Sequence, residues 1–182
     1  MNFCSHCGRE VRLTTPAGDH LPRFVCQACG AIHYQNPKLV AGCVAEWQGR
    51  ILICKRAIEP RAGFWTLPAG FMENGETTEA AAARETADEA LAEAVDLHPF
   101  ALVNVPHVDQ VHLMFRAVLK DGRHAPGPES LETRLVEAQH IPWDEIAFPS
   151  VRYTLECFLE DRRRGAYGFH ITTWDKSLQG QK

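Results

Sequence analysis

Two short cysteine knuckles fix how this chain can begin. Cys4-Ser5-His6-Cys7-Gly8 and Cys26-Gln27-Ala28-Cys29-Gly30 repeat one pattern. A Cys-x-x-Cys turn offers two thiolates from one bend, and two such turns supply the four tetrahedral ligands of a structural zinc ion. The glycine after each pair suits a tight turn, where a positive φ costs little. The segments at residues 10–14 and 21–25 between the knuckles predict a short hairpin. So small a region cannot bury enough apolar surface to fold alone, and bound metal would supply its folding free energy. Residues 1–35 therefore read as a Cys4 zinc ribbon with Cys4, Cys7, Cys26 and Cys29 as ligands. Redox pairs are the alternative, but no βαβ pattern of the thioredoxin kind surrounds them. His6, His20 and His33 are weaker ligand candidates than the thiols. A structural or dimer-forming role is the plainer reading of the ribbon, because it has few positive charges for nucleic acid.

The rest of the 182-residue chain is long enough for one sizeable core. The net charge of −4 is a poor balance for gripping a nucleic-acid backbone, so nucleic acid is not expected as a partner. No apolar run reaches transmembrane length and the N-terminus lacks a signal-peptide pattern, so a cytoplasmic protein without a membrane partner is expected. Cys43, Cys54 and Cys157 lie among apolar neighbours and read as small core residues.

After Asn36-Pro37, Leu39 to Ala45 and Arg50 to Cys54 predict a hairpin turning at Gln48-Gly49. A turn-rich loop, Gly63 to Gly70, leads to the clearest helix, residues 77–94, with Thr77 or Thr78 as its cap and Glu79 in its first turn. Further strands are expected at Phe100–Val105, Val111–Leu119 and Thr133–Glu137, and a final helix at Ser150–Arg163. The pattern predicts an α/β sandwich with a mixed sheet over residues 36–164. Residues 165–182 read as a polar, loose tail that Phe169 and Trp174 would dock.

Glu85, Asp88 and Glu89 stand at i, i+3 and i+4, which puts three carboxylates on one helix face. No Lys or Arg occurs between Arg84 and Arg116 to relieve them. Either a divalent cation does so, since Mg²⁺ takes oxygen ligands and shares them with substrate phosphates, or this is a solvated acidic face.

Read as one string, Gly70 through Glu76 to Arg84-Glu85-Thr86-Ala87-Asp88-Glu89 resembles the Nudix box. That box runs Gly, five residues, Glu, seven residues, Arg-Glu, an apolar residue, any residue, Glu-Glu, any residue, Gly and an apolar residue. All gaps match. Four positions depart: Thr86 and Ala92 are less apolar than usual, Leu91 replaces the Gly, and Asp88 replaces the first Glu of the pair. Asp draws its carboxylate back by about 1.5 Å, one carbon–carbon bond. The resemblance implies a Nudix α/β/α sandwich with catalytic Mg²⁺ (or Mn²⁺). It makes Glu85 a metal ligand and the water-activating base, Glu89 the second ligand and Asp88 a variable third. Arg84 would orient the carboxylates through Glu76, and the carbonyl of Ala69 or Gly70 would complete the metal shell. A later-loop carboxylate is expected at Glu132, with Glu129 as runner-up. Nudix pyrophosphatases of this kind are often homodimers.

The nucleotide substrate is narrower to judge. Zinc-ribbon Nudix proteins include NADH pyrophosphatases, which carry a Ser-Gln-Pro-Trp-Pro-Phe-Pro-like stretch after the box; here the region reads Phe100 to Gln110 without it. From about Cys4 to His170 the chain is more similar to a group that acts on FAD and ADP-ribose. Shared stretches include Tyr34-Gln35-Asn36-Pro37-Lys38, Cys54-Lys55-Arg56 and Trp65 to Gly70. Ala125 to Glu132 is another. Phe64 and Trp65 either stack on a substrate ring or pack in the core, and Arg56 and Arg61 either meet phosphates or are solvated. Gln110, His107 and His112 are weaker candidates. A non-catalytic nucleotide- or RNA-binding module is the rival to an enzyme.

Overall fold

Metal-ligand chemistry takes the place of a core in the first part of the chain. A computed structural model describes residues 1–175 and divides the chain after Pro37. In the first unit, strands β1 (Val11–Thr14), β2 (Arg23–Cys26) and β3 (Ile32–His33) form an antiparallel sheet. Val11 pairs with Cys26 and Thr14 with Arg23, so the expected hairpin is present. Each knuckle is closed by a glycine amide: Gly8 N donates to Cys4 O and Gly30 N to Cys26 O, both at 2.9 Å. The only fully buried residues of this unit are Cys4 and Cys26, whereas Phe3, Leu13 and Tyr34 are exposed. With no apolar cluster inside, four thiols around one ion are what can hold it together.

The second unit is a mixed sheet between two helices. Its elements are β4 (Lys38–Trp47), β5 (Arg50–Arg56), β6 (Trp65–Thr66), β7 (Ala69–Phe71), α1 (Thr78–Ala90) and β8 (Ala94–Val105). These are followed by β9 (Gln110–Leu119), β10 (Ser130–Val136), α2 (Pro149–Arg164) and β11 (His170–Thr173). The strand order is β10-β5-β4-β9-β8-β11, with β6 paired to β5 and β7 to β4. β4 runs parallel to β9 and β8 parallel to β11; the other pairs are antiparallel. Alternation along the strands sends Val44, Ile51, Ile53, Ala101 and Met114 to the α2 face, where Val151, Leu155 and Phe158 meet them. Ala41, Cys43, Leu52 and Phe115 point the other way, onto Ala81, Ala82 and Ala90 of α1. The small alanines let α1 lie close to the sheet. This is the α/β/α sandwich expected from the sequence.

Three expectations are corrected. The β4–β5 hairpin pairs only beside its turn, at Glu46–Ile51 and Trp47–Arg50. Beyond it the strands part, and β4 takes β7 instead, with Ala41 opposite Gly70. Helix α1 ends at Ala90 rather than at residue 94, because Leu91 adopts a left-handed φ of 46° and the chain enters β8 three residues later. Within the described residues the tail is not loose: β11 pairs with β8, and the Trp174 amide donates to Asn104 O at 2.8 Å. Trp174 docks as expected, while Phe169 is exposed. Residues 176–182 of the expected tail lie outside the described residues. Among the described residues no helix is long and apolar enough to cross a membrane. Cys43 and Cys54 are fully buried, as expected of core residues, and Cys157 is half-buried.

Candidate active site and zinc centre

Cys4, Cys7, Cys26 and Cys29 bring their sulfurs within 4.8 Å of one another. A tetrahedron with Zn–S bonds of about 2.3 Å has S···S edges of about 3.8 Å. The Cys4–Cys29 and Cys7–Cys26 separations are 3.8 and 3.5 Å, so the thiols fit a zinc ion. The amides of Cys29 and Ala28 lower the Cys26 thiol, the direction a thiolate ligand needs. Against the Ala31 amide, the crowded sulfurs of Cys7, Cys26 and Cys4 raise Cys29, a repulsion that a bound cation would relieve. His33 is not a fifth ligand; its Nε2 lies 3.2 Å from Cys4 Sγ, placed to bond the thiolate from outside. His6 contributes its backbone amide to the same sulfur at 3.4 Å.

The loop before α1 and the first turns of the helix are organised by Arg84. Its Nε and Nη2 grip the two oxygens of Glu76 at 2.6 and 3.1 Å. Nη1 reaches Glu85 at 2.7 Å and Asp88 at 3.4 Å, and Nη2 also donates to Phe71 O at 3.1 Å. Glu76 in turn accepts the Glu73 amide at 2.9 Å. A planar guanidinium serves all these acceptors at once, which an ammonium group does not. Thr77 caps the helix by accepting the Ala80 amide at 3.1 Å.

Gly70 is the floor beneath Glu85. A Cβ on Gly70 would fall on the Glu85 carboxyl group, so only glycine lets that carboxylate lie against β7. Glu89, one turn further on, is 7% exposed. Burial, and then the charge of Glu85, push its carboxyl up to about 8, against the Ala69 amide and Arg56; Glu129 pushes it further upward. Glu85 is also raised, by burial first, with Asp88 and Glu129 adding to it and Arg84 opposing. Asp88 is the outlying member, its side chain 61% exposed.

Of the two later-loop carboxylates, Glu129 lies toward the acidic cluster and Glu132 does not. Glu132 turns away to pair with Arg134 at 2.6 Å, whereas the charge of Glu129 acts on both Glu85 and Glu89. The cause is the loop ahead of it. Ala125 N donates to Ala90 O and Gly127 N to Glu89 O, capping the carbonyls left open at the end of α1. A Cβ on Gly127 would run into the Asp88 carbonyl, so this crossing too requires glycine. Ala57 N then donates to Glu129 O at 2.8 Å, tying the loop to the end of β5.

The aromatic candidates separate. Trp65 is 2% exposed and belongs to the core under Lys55 and Arg134, so it cannot stack on a substrate. Phe64 is half-buried with the Arg61 guanidinium 4.1 Å above its ring. Arg61 also donates to Ala147 O at 3.2 Å. Arg56 lies 5.0 Å over Phe148 and donates to Pro60 O. His112 is a structural tie: its ring bonds Ser150 Oγ at 2.9 Å and Gln110 at 3.0 Å, linking β9 to α2. His107 is exposed in the turn after β8.

The departures from the box also find reasons. The Thr86 hydroxyl is fully buried but bonded to Ala82 O at 2.9 Å, and Ala92 is buried. A family profile described as NUDIX domain matches residues 36–160, and one described as Nudix N-terminal, a zinc ribbon, matches residues 2–35.

The chain belongs to the Nudix family.

A solved Nudix hydrolase from Nitrosomonas europaea is 50% identical, with a TM-score of 0.93 over 97% of this chain and 100% of that one. An ADP-ribose pyrophosphatase from Streptococcus suis shares the Nudix fold at a TM-score of 0.61 over 75% of this chain and all of its own, with 17% identity. Among curated relatives, the NAD-capped RNA hydrolase NudC of Stutzerimonas stutzeri is 30% identical over 88% of this chain and 56% of its own length. The chain thus spans a little over half the length of such relatives.

Proposed function

We propose that this protein is a divalent-cation-dependent hydrolase of the pyrophosphate in a nucleoside diphosphate linked to a second group. The proposed substrates are FAD, giving AMP and FMN, and ADP-ribose, giving AMP and ribose 5-phosphate. The observation that carries the reading is the Glu85 carboxylate lying against Gly70, with the buried Glu89 one turn further on and the charge of Glu129 acting on both. Glu85 and Glu89 are raised by burial and by the charge of neighbouring carboxylates, the state a hard cation relieves. All the donors are oxygens, as Mg²⁺ or Mn²⁺ requires. Glu85 and Glu89, with Glu129 and the carbonyl of Ala69 or Gly70, would hold the ion. Among the described residues only the four cysteines converge tightly enough to form a ready-made site. That suits a cation whose shell is completed by substrate phosphates. Once bound, the ion neutralises charge developing on the phosphate oxygens.

The chain's own residues do the rest. Arg84, fixed by Glu76, holds Glu85 against Gly70. A Glu85 carboxylate oxygen takes the proton of the attacking water as its oxygen bonds to phosphorus and the bridging P–O bond breaks. Arg56, beside Glu89, balances charge on the phosphates. The Asp88 departure leaves this set intact, which supports an enzyme over a silent binding module.

A second reading, NADH or an NAD-capped RNA end as substrate, is favoured by the names of the curated relatives. The stretch Asn104-Val105-Pro106-His107 in place of the NADH-type motif favours the first. Product analysis with FAD, ADP-ribose, NADH and an NAD-capped oligonucleotide, each with Mg²⁺ or Mn²⁺, separates them by rate. Glu85→Gln should lower turnover by about a hundredfold or more while the circular dichroism spectrum is unchanged. Near-wild-type turnover in that variant would refute the role of Glu85, and no AMP from any substrate would put the binding module first.

A further inference from the structure

We propose that the cavity between the start of α2 and the β8–β11 edge of the sheet is the subsite for a planar heteroaromatic ring carried by the substrate; this rests on the pyrophosphatase reading. The cavity measures about 610 Å³, within the range of about 300–1,000 Å³ that holds small ligands. Four rings line it, from Trp143, Phe148, Tyr153 and Trp174, with Val103 and Arg61 completing the wall. Both cations on its wall are already engaged, Arg61 with Ala147 O and the Phe64 ring. Arg152 donates to Trp143 O at 3.2 Å and to Glu156 at 2.9 Å, and lies 5.3 Å over the Trp143 ring. The walls therefore offer ring faces and edges rather than free charge, which suits a flat heterocycle and not a phosphate.

The cavity is joined to the chemistry through Phe148. That ring lines the cavity and carries the Arg56 guanidinium 5.0 Å away, and the charge of Arg56 acts on Glu89. Arg61, on the same wall, is anchored to Ala147 O and lies over Phe64. One cation, Arg56, thus links the buried carboxylates to the aromatic chamber. A nucleoside diphosphate with its pyrophosphate at Glu85 and Glu89 would pass its phosphates along Arg56 and place its ring among the four aromatic side chains. The stacking function expected of Trp65 is taken over by residues far apart in sequence.

The test is equilibrium binding of FMN, AMP and ribose 5-phosphate to the full chain without divalent cation, read by tryptophan emission and by dialysis. Saturable binding of FMN or AMP, uncontested by ribose 5-phosphate, is expected; whichever binds more tightly occupies the cavity. Trp174→Ala should weaken that binding by up to about tenfold, the loss of one stacked ring. Thr172→Trp should abolish it, since a bulky group at a half-exposed strand position fills the space without removing a wall. Equal binding by wild type and both variants, equal competition by ribose 5-phosphate, or no ring binding at all would overturn the proposal. Hydrolysis of FAD without such binding would overturn it while sparing the pyrophosphatase reading. Ring binding lost in both variants, with no AMP released from any substrate, would support the ring site and sink that reading instead.

Discussion

Leu91 stands where the Nudix pattern has glycine, and its φ of 46° shows why the pattern does. A left-handed conformation costs an L-residue about 1–2 kcal/mol, and the Leu91 side chain is 59% exposed, so little packing offsets it. Leu91→Gly is therefore expected to stabilise the fold by about 1 kcal/mol and raise the melting temperature by about 2–4 °C; an unchanged or lower melting temperature would show that the leucine has contacts that matter. Glu129 and Glu132 make a second contrast. Glu129→Gln should weaken activation by Mg²⁺ about 10- to 100-fold, whereas Glu132→Gln removes only a half-exposed pair with Arg134 and should leave turnover close to wild type. A titration of rate against Mg²⁺ for the two variants decides between the loop positions.

At the level of elements, the ends of helices do the positioning. Helix α1 has no basic residue in its last turn, and its open carbonyls are met by amides of the 125–127 loop, which is how Glu129 arrives beside Glu89. Helix α2 closes differently. Asp161 is buried and accepts the Gly168 amide at 2.8 Å and His170 Nε2 at 2.7 Å, folding the chain back so that β11 meets β8. Burial works against its ionised form, but the Gly168 amide and His170 outweigh it and hold the carboxyl below its usual range. A lowered carboxylate stabilises the fold above its unfolded pKa, about 4, and that contribution is lost as pH falls through the lower folded value. Amide-exchange protection at residues 170–173 should accordingly fall on acidification below about pH 4, and Asp161→Asn should lower it at neutral pH. Protection unchanged in the variant would mean that strand pairing alone secures β11.

Across the whole molecule, the two units draw on different sources of stability. The first buries only Cys4 and Cys26, while the second has two apolar clusters on either face of its sheet. Purified protein is expected to carry one zinc per chain, and a strong chelator should unfold residues 1–37 while the second unit keeps its own melting transition. Metal analysis and calorimetry with and without chelator check this. Protein purified without chelator that lacks zinc would end the zinc-ribbon reading.

Local spacing made several features legible in the sequence. The four cysteines, the carboxylate face of α1 and its Thr77 cap depend on contacts within one turn or one hairpin, whose geometry the residue order dictates, while the Arg84–Glu76 pairing was legible through the resemblance to the Nudix box. The tertiary structure decided what depends on distant segments meeting. Whether Trp65 met substrate or core turned on β6 lying under Lys55 and Arg134. Glu129 rather than Glu132 faces the acidic cluster because a loop crosses the end of α1 at Gly127. The aromatic chamber needs α2, β8 and the chain after β11 together. Periodicity within a segment carries no record of such meetings, because they are set by how whole elements pack and not by any residue's neighbours in the chain.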